Sequence, residues 1–235
     1  PIQKFKKDGF NGLVLDLRYN AGGLLGIASE LAYMVAGPSA TQGKTFERLV
    51  TNRKNPYGWA PGASSLPFQS TALGYSTSAG QPLPYLGLNK VTVLAGPDTC
   101  SASESLVNGL RGIGVQVDLV GNTTCGKPYG FYPEDNCGTT YFAINFQGVN
   151  AQGYGDYGDG MAPGCVVADD FTRDLGDPGE ARLAAALTMR AGGACPTSTG
   201  SGAQKAGSAL IEPPYLRRDP VREIKRIDER VQPQS

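Results

Sequence analysis

The first place in this sequence where chemistry could be done is the stretch Thr99-Cys-Ser-Ala-Ser-Glu-Ser-Leu106. Ser101 and Glu104 match the S-x-x-E capping pattern, and Leu106, Val107 and Leu110 follow at helical spacing. Ahead of them, Lys90–Ala95 reads as a buried strand broken by Gly96, Pro97 and Asp98. A serine at the mouth of a helix, just past a strand, sits where backbone N–H groups point outward and can hold a developing oxyanion. On this stretch alone the simpler reading is an ordinary N-cap.

Histidine is absent from the 235 residues. That removes Ser-His-Asp and Cys-His triads and most zinc sites. A nucleophilic Ser101 would need a lysine, a carboxylate or an N-terminal amine as its base.

The elements that must position Ser101 follow from the apolar pattern. Ile2 and Phe5, among Lys4, Lys6 and Lys7, read as the end of a helix closed by Gly9. Gly12–Arg18 reads as a buried strand of a parallel sheet. Tyr19–Gly23 is a turn, and a helix runs from about Leu24 to Val35. A strand, a glycine turn and a helix together offer backbone amides to an anion. The Walker signature is absent, and a plain tight turn explains the same residues. A strand is expected at Phe46–Thr51, then a long loop over Lys54–Gln81 carrying Tyr57, Trp59, Phe68 and Tyr75. Such a loop lines a groove or is a surface loop pinned by its aromatics.

Downstream, Val115–Val120 reads as a strand, and Gly121–Gly130 as a glycine-flanked turn bearing Lys127. Tyr141–Gln147 alternates like a strand. Gly153–Gly164 is a flexible loop whose Asp156 and Asp159 do not have EF-hand spacing. Cys165–Ala168 is a last short strand. Pro178–Met189 is an amphipathic helix, capped by Asp177 with Leu183 and Leu187 on one side. Gly200–Ser208 reads as linker, and Asp219–Val231 as a short helix in a polar tail. The expected organisation is a core over 1–196 and a linker with a mostly disordered tail over 197–235.

Composition narrows the function. Apolar residues make up 40%, enough for a sizeable core, and the net charge of zero argues against nucleic acid. No apolar run is long enough to span a membrane. Pro1 is not a natural start, which points to a longer parent chain. The five cysteines at 100, 125, 137, 165 and 195 form no Cys-x-x-Cys pair. That suits disulfides and an oxidising compartment. Cys165–Cys195 is the first expected bridge, because a helix packed back on the sheet returns toward the last strand. Cys125–Cys137 is the second, leaving Cys100 as a buried thiol.

Three stretches point one way: Asp16-Leu-Arg-Tyr-Asn-Ala-Gly-Gly23, Cys100-Ser-Ala-Ser-Glu104 and Gly121-Asn-Thr-Thr-Cys-Gly-Lys127. In type, order and spacing they resemble the C-terminal processing (tail-specific) proteases, serine peptidases related to the tricorn core. Asp159-Gly-Met-Ala-Pro-Gly164 looks like that family's D-G-x-x-P-x-G segment. The resemblance covers about residues 9–190. It implies an α/β, ClpP/crotonase-like spiral core of short buried strands and helices, with the N-terminal part of the core missing.

The resemblance further implies Ser101 as nucleophile, Lys127 as general base and Glu104 orienting the lysine. The amides of Ala102 and of Gly22 or Gly23 would form the oxyanion hole. Asp16 and Arg18 would hold the turn. Tyr129, Phe131 and Tyr132 near Lys127 make desolvation plausible, and desolvation favours a neutral lysine. The expected activity is a serine endopeptidase acting on protein or peptide substrates, periplasmic or secreted, without cofactor or metal. The alternative is a non-catalytic peptide- or hydrophobic-ligand-binding module on the same fold. A disulfide-stabilised interaction domain explains the cysteines but not the motifs. The Ser101-to-Lys127 spacing is slightly longer than the family's, and Pro128 stands where glycine is common. A PDZ domain, usual before the core, is not in the sequence.

Overall fold

The computed structural model describes residues 1–10, 12–51, 54, 64–75 and 77–196. Tyr57, Trp59 and the expected linker and tail lie outside the described residues. In chain order the elements are α1 (Ile2–Asp8), β1 (Val14–Asp16), α2 (Leu25–Ala36), α3 (Pro38–Thr41), β2 (Thr45–Thr51), β3 (Ser64–Pro67) and β4 (Lys90–Ala95). There follow α4 (Ala102–Gly112), β5 (Gln116–Gly121), β6 (Tyr129–Gly130), β7 (Glu134–Asn136), β8 (Thr139–Tyr141), β9 (Phe146–Val149), β10 (Cys165–Val166) and α5 (Ala181–Arg190).

Alternation along β4 and β5 sets the layering. Val91, Val93 and Ala95, with Val117 and Leu119, join the core shared with α2 and α4. Leu94 and Val120 point the other way, onto Cys165 and onto Ala185 and Ala186 of α5. The sheet, in order β1-β4-β5-β10, is parallel throughout. A parallel sheet covered on both faces needs continuous apolar strands, which is why these runs are visible in sequence. The expected α/β class holds.

A second sheet, β3-β2-β9-β6, is antiparallel and packs on α4. Gly109 makes that packing possible: a Cβ there would lie 2.6 Å from the Phe46 ring. β3 lies inside the expected long loop. Phe68, just beyond β3, is a core residue in T-shaped contact with Phe46 at 5.4 Å. Cross-strand pairing to β2 makes this segment a strand, and no local pattern announces it.

Two other expectations are corrected. Tyr141–Gln147 is not one strand. β7 and β8 pair only with each other, whereas β9 joins β2, so the chain leaves one sheet and enters another between them. The last helix starts at Ala181, capped by Glu180, whose carboxylate accepts from the Arg182 and Leu183 amides at 3.2 and 3.0 Å. Asp177 instead accepts from the Gly179 amide at 2.7 Å. The buried face of α5 is Arg182, Ala185 and Ala186, and Leu187 is 41% exposed. Cys165 and Cys195 are bridged as expected, with Cα atoms 5.5 Å apart.

Candidate active site

Ser101 stands between the end of β4 and the start of α4. The loop reaching it is fixed by Thr99, whose hydroxyl donates to the Leu17 carbonyl at 2.6 Å and accepts from the Gly96 amide at 2.9 Å. Ser101 has φ 58° and ψ −116°, one of two described non-glycine residues at positive φ. A side-chain-bearing residue held there stores strain of about 1–3 kcal/mol. The turn changes the expected cap. The Ser101 amide donates to Glu104 Oε2 at 2.9 Å, but Ser101 Oγ, fully buried, has no hydrogen-bond partner. Both residues stand in the capping-box arrangement, but only the Glu104 half closes as a hydrogen bond of ordinary geometry; the contact to Ser101 Oγ falls short of one.

Glu104 is fully buried and draws the other half of the site to Ser101. Its Oε1 accepts from Thr124 Oγ1 at 2.5 Å and from the Gly126 amide at 2.9 Å. Its Oε2 accepts from the Lys127 amide at 2.8 Å. A carboxylate accepting several N–H and O–H groups is well compensated for burial. Glu104 therefore reaches Lys127 through the main chain.

The Lys127 loop is braced from behind. Thr124 Oγ1 accepts from the Met161 amide at 2.7 Å, and the Thr124 amide donates to the Met161 carbonyl at 3.2 Å. Gly126, at φ +83°, packs so closely that a Cβ would lie 2.6 Å from the Gly160 nitrogen. Lys127 is half-buried, with Nζ 5.8 Å from the centroid of the Phe131 ring. The second disulfide is here and is not the expected one: Cys125 is bridged to Cys100, Cα atoms 5.2 Å apart, and Cys137 is exposed and unbridged. The Cys125 amide also donates to the Thr99 carbonyl at 3.0 Å, which brings the two loops side by side.

Gly22 and Gly23 lie on the turn after β1. A Cβ on Gly22 would sit 2.7 Å from Ser101 Cβ and 3.0 Å from the Ala102 nitrogen, so this turn touches the start of α4. Asn20, within the Asp16–Gly23 motif, docks it. Its carbonyl accepts from the Cys100 amide (3.2 Å) and Ser103 Oγ (3.1 Å), and its Oδ1 from Ser103 Oγ (2.9 Å) and the Gly22 amide (3.0 Å). Asn20 and Thr124 lie inside the quoted motifs and Thr99 directly before one, but their partners are set by the tertiary structure.

The same turn is anchored by charge. Arg18 is buried, donating to Asp16 through Nε and Nη2 at 3.0 and 2.6 Å and to Glu180 through Nη1 at 2.7 Å. Asp169 pairs with both Arg18 and Arg182, at 3.5 and 3.2 Å. Burial pushes the Asp16 carboxyl up, but the Arg18 hydrogen bonds and charge outweigh it and hold the group below the usual range. The Asp16 hydrogen bond lifts the Arg18 guanidinium above its ordinary value, and burial lowers that of Arg182.

Cys100, Glu104 and Cys125 also place potential metal-ligand atoms within 4.8 Å of one another. The two sulfurs are joined to each other and the carboxylate is occupied by N–H and O–H donors, so this set does not fit a metal. Two clefts of about 590 and 580 Å³ elsewhere are lined by neither Ser101 nor Lys127.

Fold and site together define a parallel-sheet α/β protein with a buried serine at positive φ on a strand-to-helix turn, tied by a carboxylate to a lysine-bearing loop. The chain belongs to peptidase family S41, whose family model matches residues 1–130, a stretch containing Ser101, Glu104 and Lys127. A candidate S41 protease from Bacteroides fragilis has a similar structure, with 25% identity and a TM-score of 0.67 over 81% of this chain and 47% of that one. The photosystem II D1 C-terminal processing protease matches at 20% identity and TM-score 0.49, over 70% of this chain and 36% of that one. A lipoprotein from Streptococcus agalactiae matches at 17% identity and TM-score 0.48, over 71% and 54%. No curated protein sequence matches the chain. The chain spans about half the length of the Bacteroides structure.

Proposed function

We propose that the protein is a serine endopeptidase working through a Ser101/Lys127 dyad. Ser101 Oγ attacks the scissile carbonyl, and Lys127 Nζ takes its proton and returns it to the leaving amine. The oxyanion is held by the amides of Ala102 and Gly23. Gly22 is the weaker candidate of the glycine pair, because its amide is already engaged by Asn20 Oδ1. Glu104 positions the dyad by gripping the main chain on both sides of it. The observation that carries this reading is the buried Ser101 hydroxyl, in cap position but without a hydrogen bond, in a chain without histidine. Membership of a peptidase family supports protein or peptide substrates. The two disulfides suit a secreted or periplasmic setting.

Labelling the full-length protein with a fluorophosphonate probe, followed by peptide mapping, tests the reading. The label should sit on Ser101 and disappear in both Ser101→Ala and Lys127→Ala, since residues acting as a unit fail together. Wild-type labelling in Lys127→Ala would remove the lysine from the mechanism. An unlabelled wild type that still binds peptides would favour a binding module.

A further inference from the structure

We propose that the Cys100–Cys125 bridge is a redox-gated positioning clamp. Intact, it holds the Ser101 turn against the Lys127 loop; opened by a dithiol reductant, it lets the two part and turnover falls. The inference rests on the Ser101/Lys127 reading above.

The placement is the first argument. Cys100 directly precedes Ser101, and Cys125 stands two residues before Lys127, so the bridge joins the two segments that carry the chemistry. The second argument is the Ser101 backbone. A residue at positive φ keeps that conformation only while its surroundings over-determine it, and the bridge is attached at the neighbouring residue. Other ties between the two segments include the β4–β5 pairing, the hydrogen bonds from the Asn122 amide to the Ala95 carbonyl and from the Cys125 amide to the Thr99 carbonyl, and the Glu104 set. The bridge is the one covalent tie among them, and it is attached next to Ser101 itself.

The third argument is access. Cys125 is half-buried and Cys100 is 4% exposed, so Cys125 is the more accessible side of the bridge: an attacking thiolate forms the mixed disulfide there and the Cys100 sulfur leaves as thiolate. The second thiol of the reductant then resolves the mixed disulfide. The protein is left with two thiols and the reductant with one disulfide. Reduction also changes the hub. Cys125 Sγ lies 3.6 Å from Glu104 Oε2, the oxygen that accepts from the Ser101 and Lys127 amides. In the bridge that sulfur has no proton. As a thiol it competes with the Ser101 and Lys127 amides for that oxygen. The Cys165–Cys195 bridge touches neither segment and serves as the internal control.

The test uses the oxidised full-length protein titrated with dithiothreitol, with non-reducing peptide mapping to show which bridge has opened. Ser101 labelling by the fluorophosphonate probe and peptide turnover are followed in parallel with hydrogen exchange over residues 122–128. As Cys100–Cys125 opens, labelling and kcat should fall at least about tenfold with KM little changed, because small misplacements of reacting groups are expensive in rate. Exchange at Gly126 and Lys127 should quicken, and reoxidation should restore all of these. Cys100→Ser with Cys125→Ser should be slow and indifferent to dithiothreitol, while Cys165→Ser with Cys195→Ser should keep the response. Unchanged labelling and exchange with the bridge open would overturn the clamp. So would loss of the response in the Cys165/Cys195 variant. A wild type that never labels, yet shows faster exchange on reduction, would instead refute the peptidase reading and leave the mechanical hold of the bridge standing.

Discussion

Ser101 carries two liabilities: a positive φ and a buried, unpartnered hydroxyl. The first stores about 1–3 kcal/mol, and an unsatisfied buried polar group adds about 1–3 kcal/mol. Glycine at this position would relieve both, against roughly 0.5–1 kcal/mol for its added freedom in the unfolded chain. Ser101→Gly should therefore melt at a higher temperature while losing all fluorophosphonate labelling. A thermal scan beside the labelling assay checks this, and a lower melting temperature would mean the turn is not strained. Few positions should be improved in stability by deleting their side chain, and this is the one the proposed chemistry needs.

At the scale of elements, the site is a junction of three loops on the ends of β1, β4 and β5. The β1 loop meets α4 at Gly22, where a Cβ would come within 2.8 Å of the Cys100 carbonyl and 3.0 Å of the Ala102 nitrogen. Those atoms are backbone and cannot swing aside. Gly22→Ala should push the turn off the start of α4, cutting turnover by about a hundredfold with the fold retained. Circular dichroism beside a peptide-cleavage assay separates the two effects, and wild-type turnover would show that the glycine turn is not part of the site. The β5 loop is held as tightly: Thr124, Gly126 and Lys127 all donate to Glu104, which belongs to α4.

For the whole molecule, the ends of the parallel sheet are tied by buried charge and by covalent closure. Arg18 and Glu180 pair at 2.7 Å, each almost fully buried, joining the β1 turn to the start of α5. Asp16 completes the pairing, and its carboxyl lies below the ordinary value. A depressed folded value means its contribution is present above the unfolded value of about 3.9 and is lost as pH falls through the lower folded one. Asp16→Asn should lower stability at neutral pH and flatten the stability curve below about pH 4. Denaturant melts from pH 2 to 7 measure it, and parallel curves for variant and wild type would contradict it. The Cys165–Cys195 bridge closes a loop of sequence separation 30. Removing it should cost about 3–4 kcal/mol by the chain-entropy account, with Ser101 labelling preserved at temperatures where the variant stays folded.

The parallel sheet was legible in the sequence because a strand buried on both faces must be an apolar run, as in Gly12–Arg18 and Lys90–Ala95. Ser101 at a helix start was legible for the same local reason, and the absence of histidine limited what its base could be. The Cys165–Cys195 pairing followed from a helix folding back on its sheet. What only the tertiary structure decided are choices among distant partners. Glu104 has several possible donors in sequence, and it takes the amides of Gly126 and Lys127 because β5 runs parallel beside β4 and delivers its loop to the same end of the sheet. That return brings Cys125 to Cys100 in place of Cys137, and the β7–β8 hairpin holds Cys137 at the surface. Glu180 displaces Asp177 as the cap of α5 because Arg18 lies beside it. Phe68 leaves its expected loop for the core because β3 finds β2. Periodicity records which way a side chain faces, but the partner it meets there is set by the register and direction of strands far away in the chain.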